Sequence, residues 1–242
     1  MFARTHPLWL VGFRPFFALA CLAGLSLPVA WILVFKGVLP APQRFSPVQW
    51  HAHEMFFGFG WAVLGGFLLT ASKNWVGVRG YHGGTLMFLA AAWIFERIGM
   101  SFGAGWPAPL FLLSNNLFLL SIVALLLATL IRHRDQDSYR RDNVFFLIIL
   151  PLFWIAKTLL LQPEHFHLGW SMTLGLFRVA FLVMLERTLG QFMRGAFSVE
   201  ILRQPALDTA IKVLAALLVF GALLPAPVLT GLELVLALLL LG

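Results

Sequence analysis

Two histidines open a long apolar run as Trp50-His51-Ala52-His53-Glu54-Met55, and Phe56 to Ser72 continues it for 17 residues without a charge. Imidazole binds iron, copper and zinc alike and exchanges protons near neutral pH. A polar, metal-competent cluster at the mouth of a spanning helix is unfavourable near lipid, so it reads as a functional site. On a helix that starts at Pro47, residues two apart are separated by about 200°. His51 and His53 are then expected to point to opposite faces and to serve two centres, or one as ligand and the other as support. Glu54 follows His51 by three and could orient its imidazole. The bland alternative is that Trp50 and the histidines anchor the helix at the headgroup level.

Further polar residues interrupt apolar stretches. His165 and His167 lie in Pro163-Glu164-His165-Phe166-His167-Leu168, read as a short loop whose imidazoles either join a metal or are simply solvated. Glu96 and Arg97 fall near the end of a span, Asn115 and Asn116 within the next, and Lys157 and Arg178 within later ones. Adjacent residues do not face each other on a helix, so Glu96 and Arg97 should each find a partner on another span. Arg178 sits about 14 Å into its helix at 1.5 Å per residue, where an unpaired arginine costs several kcal/mol. Glu96 or an anionic cofactor group is its expected partner, and Asn115 and Asn116 are expected to hold helices together.

The elements that must position these residues follow from composition. Of 242 residues, 60% are hydrophobic and 11% charged, against about a quarter charged in a soluble domain. The expected fold is an all-α, polytopic transmembrane bundle of about eight spans in one domain over 1–242. The spans are placed near 15–35, 52–72, 84–101, 108–131, 144–161, 169–189, 206–224 and 228–242. The last apolar run stops at Gly242 with no basic anchor, so the chain is expected to be incomplete at its C-terminus. Ser46-Pro47-Val48-Gln49 is a capping box with proline at the first helical position.

Orientation follows from lysine and arginine. With the N-terminus cytoplasmic, the inner side collects Arg4, Lys73, Arg79, Arg132, Arg134, Arg140, Arg141, Arg187, Arg194, Arg203 and Lys212, and the outer side only Lys36 and Arg44. His51 and His53 then belong to the outer end. The net charge of +7 is spread between apolar runs, which excludes a nucleic-acid partner. The single cysteine, Cys21, excludes an internal disulfide, and covalent c-type haem lacks its Cys-x-x-Cys-His. Phosphate-binding glycine loops and a nucleophilic serine elbow are also missing.

Several stretches resemble the NnrS family of bacterial inner-membrane proteins. They are Gly12-Phe13-Arg14-Pro15-Phe16-Phe17, then Trp50 to Met55 with Phe57-Gly58, then Gly66 to Ala71 running to Asn74-Trp75. Arg187 to Phe192 with Arg194 is similar to the family's Gly-Gly-Arg-x-x-Pro-x-Phe-x-Arg segment, although Leu185-Glu186 replaces the glycines and Gly190 the proline. The resemblance implies b-type haem and copper, nitric oxide as a small gaseous ligand, and a role in denitrification or the nitric oxide response. It also implies that His51 and His53 lead the candidate ligands, with Arg14, Trp50, Glu54 and Arg178 near a cofactor. Two other readings stand beside it: a transporter or channel lined by Glu96, Lys157 and Arg178, and a membrane scaffold with structural histidines.

Overall fold

The computed structural model describes residues 6–199 and 204–241, apart from the side chain of Gln191. Arg4 and Arg203 of the charge count lie outside them. Every regular element among the described residues is helical. The long helices are α1 (Phe13–Phe35), α2 (Pro47–Trp75), α3 (Gly84–Phe102), α4 (Ala108–Arg132), α5 (Asn143–Leu160), α6 (Phe166–Phe197), α7 (Pro205–Leu217) and α8 (Ala226–Leu241).

Among the described residues seven segments are long and apolar enough to cross a membrane, α7 being extended by a 3-10 turn to Leu223. The eighth, α8, has 16 residues and spans about 24 Å, short of the roughly 30 Å of a hydrocarbon core. The chain is thus the expected all-α, multi-pass membrane protein. Its largest departure in length is α6, which continues to Phe197 and ends where Ser198 turns left-handed.

The chain forms two compact units, residues 1–150 and 151–242, with the division at Pro151 inside α5. In the first unit α1 lies against α2. A Cβ on Gly66 would come within 2.7 Å of the Phe16 Cβ, so only glycine lets the two helices approach this closely. Phe13 N donates to Thr70 Oγ1 at 2.9 Å and pins the start of α1 to the far end of α2. The core is aromatic: Phe16, Phe57, Trp61 and Phe118 are fully buried, and Phe16 stacks on Phe118 at 5.7 Å.

The second unit packs Phe153 edge-on against Phe177 at 5.0 Å. Gly175 of α6 admits the backbone of Val219, whose Cα would lie 2.8 Å from an added Cβ. Within the first unit, Lys73, Arg79, Arg132, Arg134, Arg140 and Arg141 all fall at one set of helix ends, and Lys36 and Arg44 follow α1 at the other.

Candidate functional site

The start of α2 is set by its cap. Ser46 Oγ accepts from Gln49 N at 3.2 Å, Gln49 Oε1 accepts from Ser46 N at 3.1 Å, and Pro47 opens the helix. Helix α2 then changes pitch. Residues Glu54–Gly60 are π-helical, a form with i→i+5 hydrogen bonds that is rare and often found at functional sites. Trp93 of α3 fastens this segment by donating from Nε1 to Gly58 O at 3.0 Å.

Four charged or titratable side chains meet here. His53, Glu54 and Glu96 are 0% exposed. His53 Nδ1 lies 3.1 Å from Glu54 Oε1, and Nε2 lies 3.4 Å from Glu96 Oε1. Arg97 closes the group with Nε 3.0 Å from Glu54 Oε2 and Nη2 3.2 Å from Glu96 Oε2. Its guanidinium sits 5.2 Å from the Trp93 ring centroid. Gly58 leaves the necessary space, since a Cβ there would stand 2.8 Å from Arg97 Nη1 and 3.1 Å from Glu54 Oε2.

Glu96 and Arg97 therefore do reach residues of another helix, and they also meet each other. They are neighbours on α3, but their long side chains converge on the same pair, His53 and Glu54. The expectation that Glu54 orients His51 is corrected: its carboxylate serves His53 and Arg97. The one-face reasoning assumed α-helical pitch, and the helix widens at Glu54 itself.

His51 points the other way. Its ring stacks on Trp31 of α1 at 4.3 Å and 18°, and its Nδ1 is buried without a hydrogen bond. Trp50 is buried with its Nε1 likewise unbonded. Arg14 does not join them: it is exposed at the start of α1 and donates to Pro7 O at 2.8 Å. Seventeen residues separate it from Trp31 along α1, or about 26 Å. Asn115 donates to Met100 Sδ at 3.3 Å across α3 and α4, and Asn116 bonds back to Leu112 O in its own helix.

The remaining candidates belong to the second unit. Arg178 meets Glu233 of α8 at 3.7 Å while Glu96 is engaged by His53 and Arg97, so the expected Arg178–Glu96 pair is replaced by a partner in its own unit. His165 and His167 are exposed, and they do not sit in a loop: Pro163–His165 is a 3-10 turn and α6 begins at Phe166. Proline at the first position of the turn starts helical geometry early. Lys157 and Arg187 are buried. Lys212, read as an interfacial charge, is buried beside Glu186 at 2.9 Å.

Among the described residues no group of three or more His, Cys, Asp and Glu is arranged to hold a metal ion. Two donors are nonetheless well placed. An ionised Glu54 only accepts, and in the tautomer with the proton on His53 Nδ1 the lone pair of Nε2 faces Glu96. That nitrogen is buried without a hydrogen bond. Two ligands on one tetrahedral ion with bonds of roughly 2.0–2.1 Å lie about 3.3 Å apart, which is close to the 3.4 Å found. A ligating histidine whose other nitrogen donates to a carboxylate is also the common second-shell arrangement. The donor set fits one ion that completes its coordination from elsewhere. His51, with its buried and unbonded Nδ1, is the imidazole that a haem could take.

The family model described as NnrS protein matches residues 7–242. No curated protein and no solved structure matches the chain.

Proposed function

The chain belongs to the NnrS family, and from that premise we propose that it is a membrane metalloprotein of nitric oxide tolerance with its inner metal ligand at His53. One observation carries the reading: His53 Nε2 and Glu96 Oε1 are 3.4 Å apart in a fully buried place, with no hydrogen bond to the nitrogen. In the tautomer that turns the Nε2 lone pair to Glu96, two electron-rich atoms held this close without solvent accommodate a cation between them. With His53 neutral, Glu54 and Glu96 against Arg97 leave one negative charge for a bound cation to offset.

Each residue then has a task. Glu54 holds the His53 tautomer and ring angle, Glu96 supplies the second ligand atom, an oxygen, and Arg97 fixes both carboxylates so that they do not swing away. His51 serves the second centre, on the α1 side, where Trp31 stacks its ring. Copper suits the inner donor set and haem the outer imidazole. Bound metal would supply a site where a small diatomic gas such as nitric oxide coordinates. The packed aromatic core beside His53, including Phe57 at 5.5 Å, excludes water from it. The lysine and arginine bias supports a periplasmic position for this end of the first unit, in a bacterial inner membrane.

The test is metal analysis and an absorption spectrum of the purified protein and of His53→Ala and His51→Ala. Copper lost from the first and a Soret band lost from the second supports the assignment. A colourless, metal-free wild-type protein favours a scaffold or a transport path.

A further inference from the structure

At the end of the first unit remote from His53, a pocket of about 210 Å³ opens between the last turn of α2, the α2–α3 connection and the end of α4. Leu69 lies deepest in α2. Thr129 and Tyr81 form one wall, braced as Thr129 Oγ1 donates to Tyr81 Oη at 3.1 Å and Tyr81 Oη donates to Leu125 O at 3.1 Å. Lys73, Arg79 and His133 supply the cationic side. The stem of Lys73 is laid along Gly80, where an added Cβ would stand 2.6 Å from Lys73 Cδ.

No carboxylate lines this pocket, and Lys73, Arg79 and His133 have no ion-pair partner among the described residues. Two fixed positive charges converge on a concave place at the boundary between apolar helix and helix ends. Its volume equals that of about seven waters in the liquid, below the roughly 300 Å³ where drug-sized ligand sites begin. A guanidinium, an ammonium and an imidazole together offer donors to several oxygens of one small anion, and arginine matches phosphate geometry in particular. Leu69 offers an apolar floor to an ester arm.

We propose that this pocket binds a phosphate group, carried either by an anionic phospholipid headgroup or by a free phosphate. Basic pockets between spanning helices are a known way of holding such headgroups. The site is independent of the metal reading, because it lies at the opposite helix ends and shares no residue with the His53 cluster.

The full chain in detergent is stripped of lipid and probed with phosphatidylglycerol by native mass spectrometry and with inorganic phosphate by calorimetry. Wild type is expected to take up at least one of the two. Lys73→Gln with Arg79→Gln should weaken that binding about a hundredfold, each lost charge-assisted hydrogen bond being worth about tenfold. Arg79→Gln alone removes an exposed side chain and should weaken it about tenfold, which keeps the test open if the double variant misfolds. Lys36→Gln, at the other helix ends, should leave it unchanged. Retained phosphatidylglycerol without affinity for inorganic phosphate identifies a lipid site, and the reverse identifies a soluble anion. Binding of neither probe, or equal binding by wild type and Arg79→Gln, overturns the proposal.

Discussion

Arg97 Nε lies 3.0 Å from Glu54 Oε2, so the third helix is tied by charge to the first residue of the π-helical segment of the second. Both side chains are almost wholly buried, at 11% and 1% exposed. Breaking such a pair by removing one partner typically costs about 3–5 kcal/mol, because the survivor is left as an uncompensated buried charge. Arg97→Met should therefore lower thermal stability sharply. Arg97→Met with Glu54→Gln should recover part of the loss. A double variant less stable than Arg97→Met would show that Glu54 is not the main partner.

Gly58 offers a steric test of the same cluster. Gly58→Ala places a methyl group 2.8 Å from Arg97 Nη1, and overpacking of this kind costs about 1–3 kcal/mol. Gly105→Ala, with nothing within 4 Å of the new atom, is the control. Melting of the two variants in detergent should separate them clearly, and equal melting temperatures would refute the close approach.

Much of this was legible in residue types and spacing. Long apolar runs, the Ser46–Gln49 cap and the divergence of His51 from His53 follow from hydropathy and a 100° step per residue. The partner of Glu54 was not legible, because a π-helical stretch has no firm signature in sequence. Nor was the replacement of Glu96 by Glu233 beside Arg178. Which spans touch depends on helix packing, and many pairs of spans satisfy the same apolar pattern. The basic pocket is not legible for a related reason: Lys73 and Arg79 enter the sequence reading as topology signals, one by one, and their convergence depends on packing.

Orientation can be read directly. With Cys21 replaced by serine, a cysteine at Ser46 should react with an impermeant reagent added outside intact cells, and one at Ser138 should not. The reverse pattern would turn the His53 end to the cytoplasm.

Arg178 and Glu233 are partly exposed, at 32% and 49%, and 3.7 Å apart. Arg178→Glu should reduce the yield of folded protein, since a lone charge of either sign in a span costs several kcal/mol. Adding Glu233→Arg should restore some of it. If the reversed pair expresses no better than Arg178→Glu, then Glu233 is not what holds this arginine.

The π-helical stretch Glu54–Gly60 also changes how this chain tolerates length. Each residue added to or removed from the regular α-helical parts between the cap at Ser46 and the glycine seam at Gly66 rotates everything upstream by about 100° relative to everything downstream. Deleting one residue from this stretch would let the helix close to regular pitch with every side chain chemically intact. His53 and Trp50 would then keep their facing, because the wider turn is what absorbs the extra residue. Single-residue deletion in the α-helical parts on either side is accordingly the more damaging lesion, and a family sequence one residue shorter within this stretch could keep His53 facing the third helix.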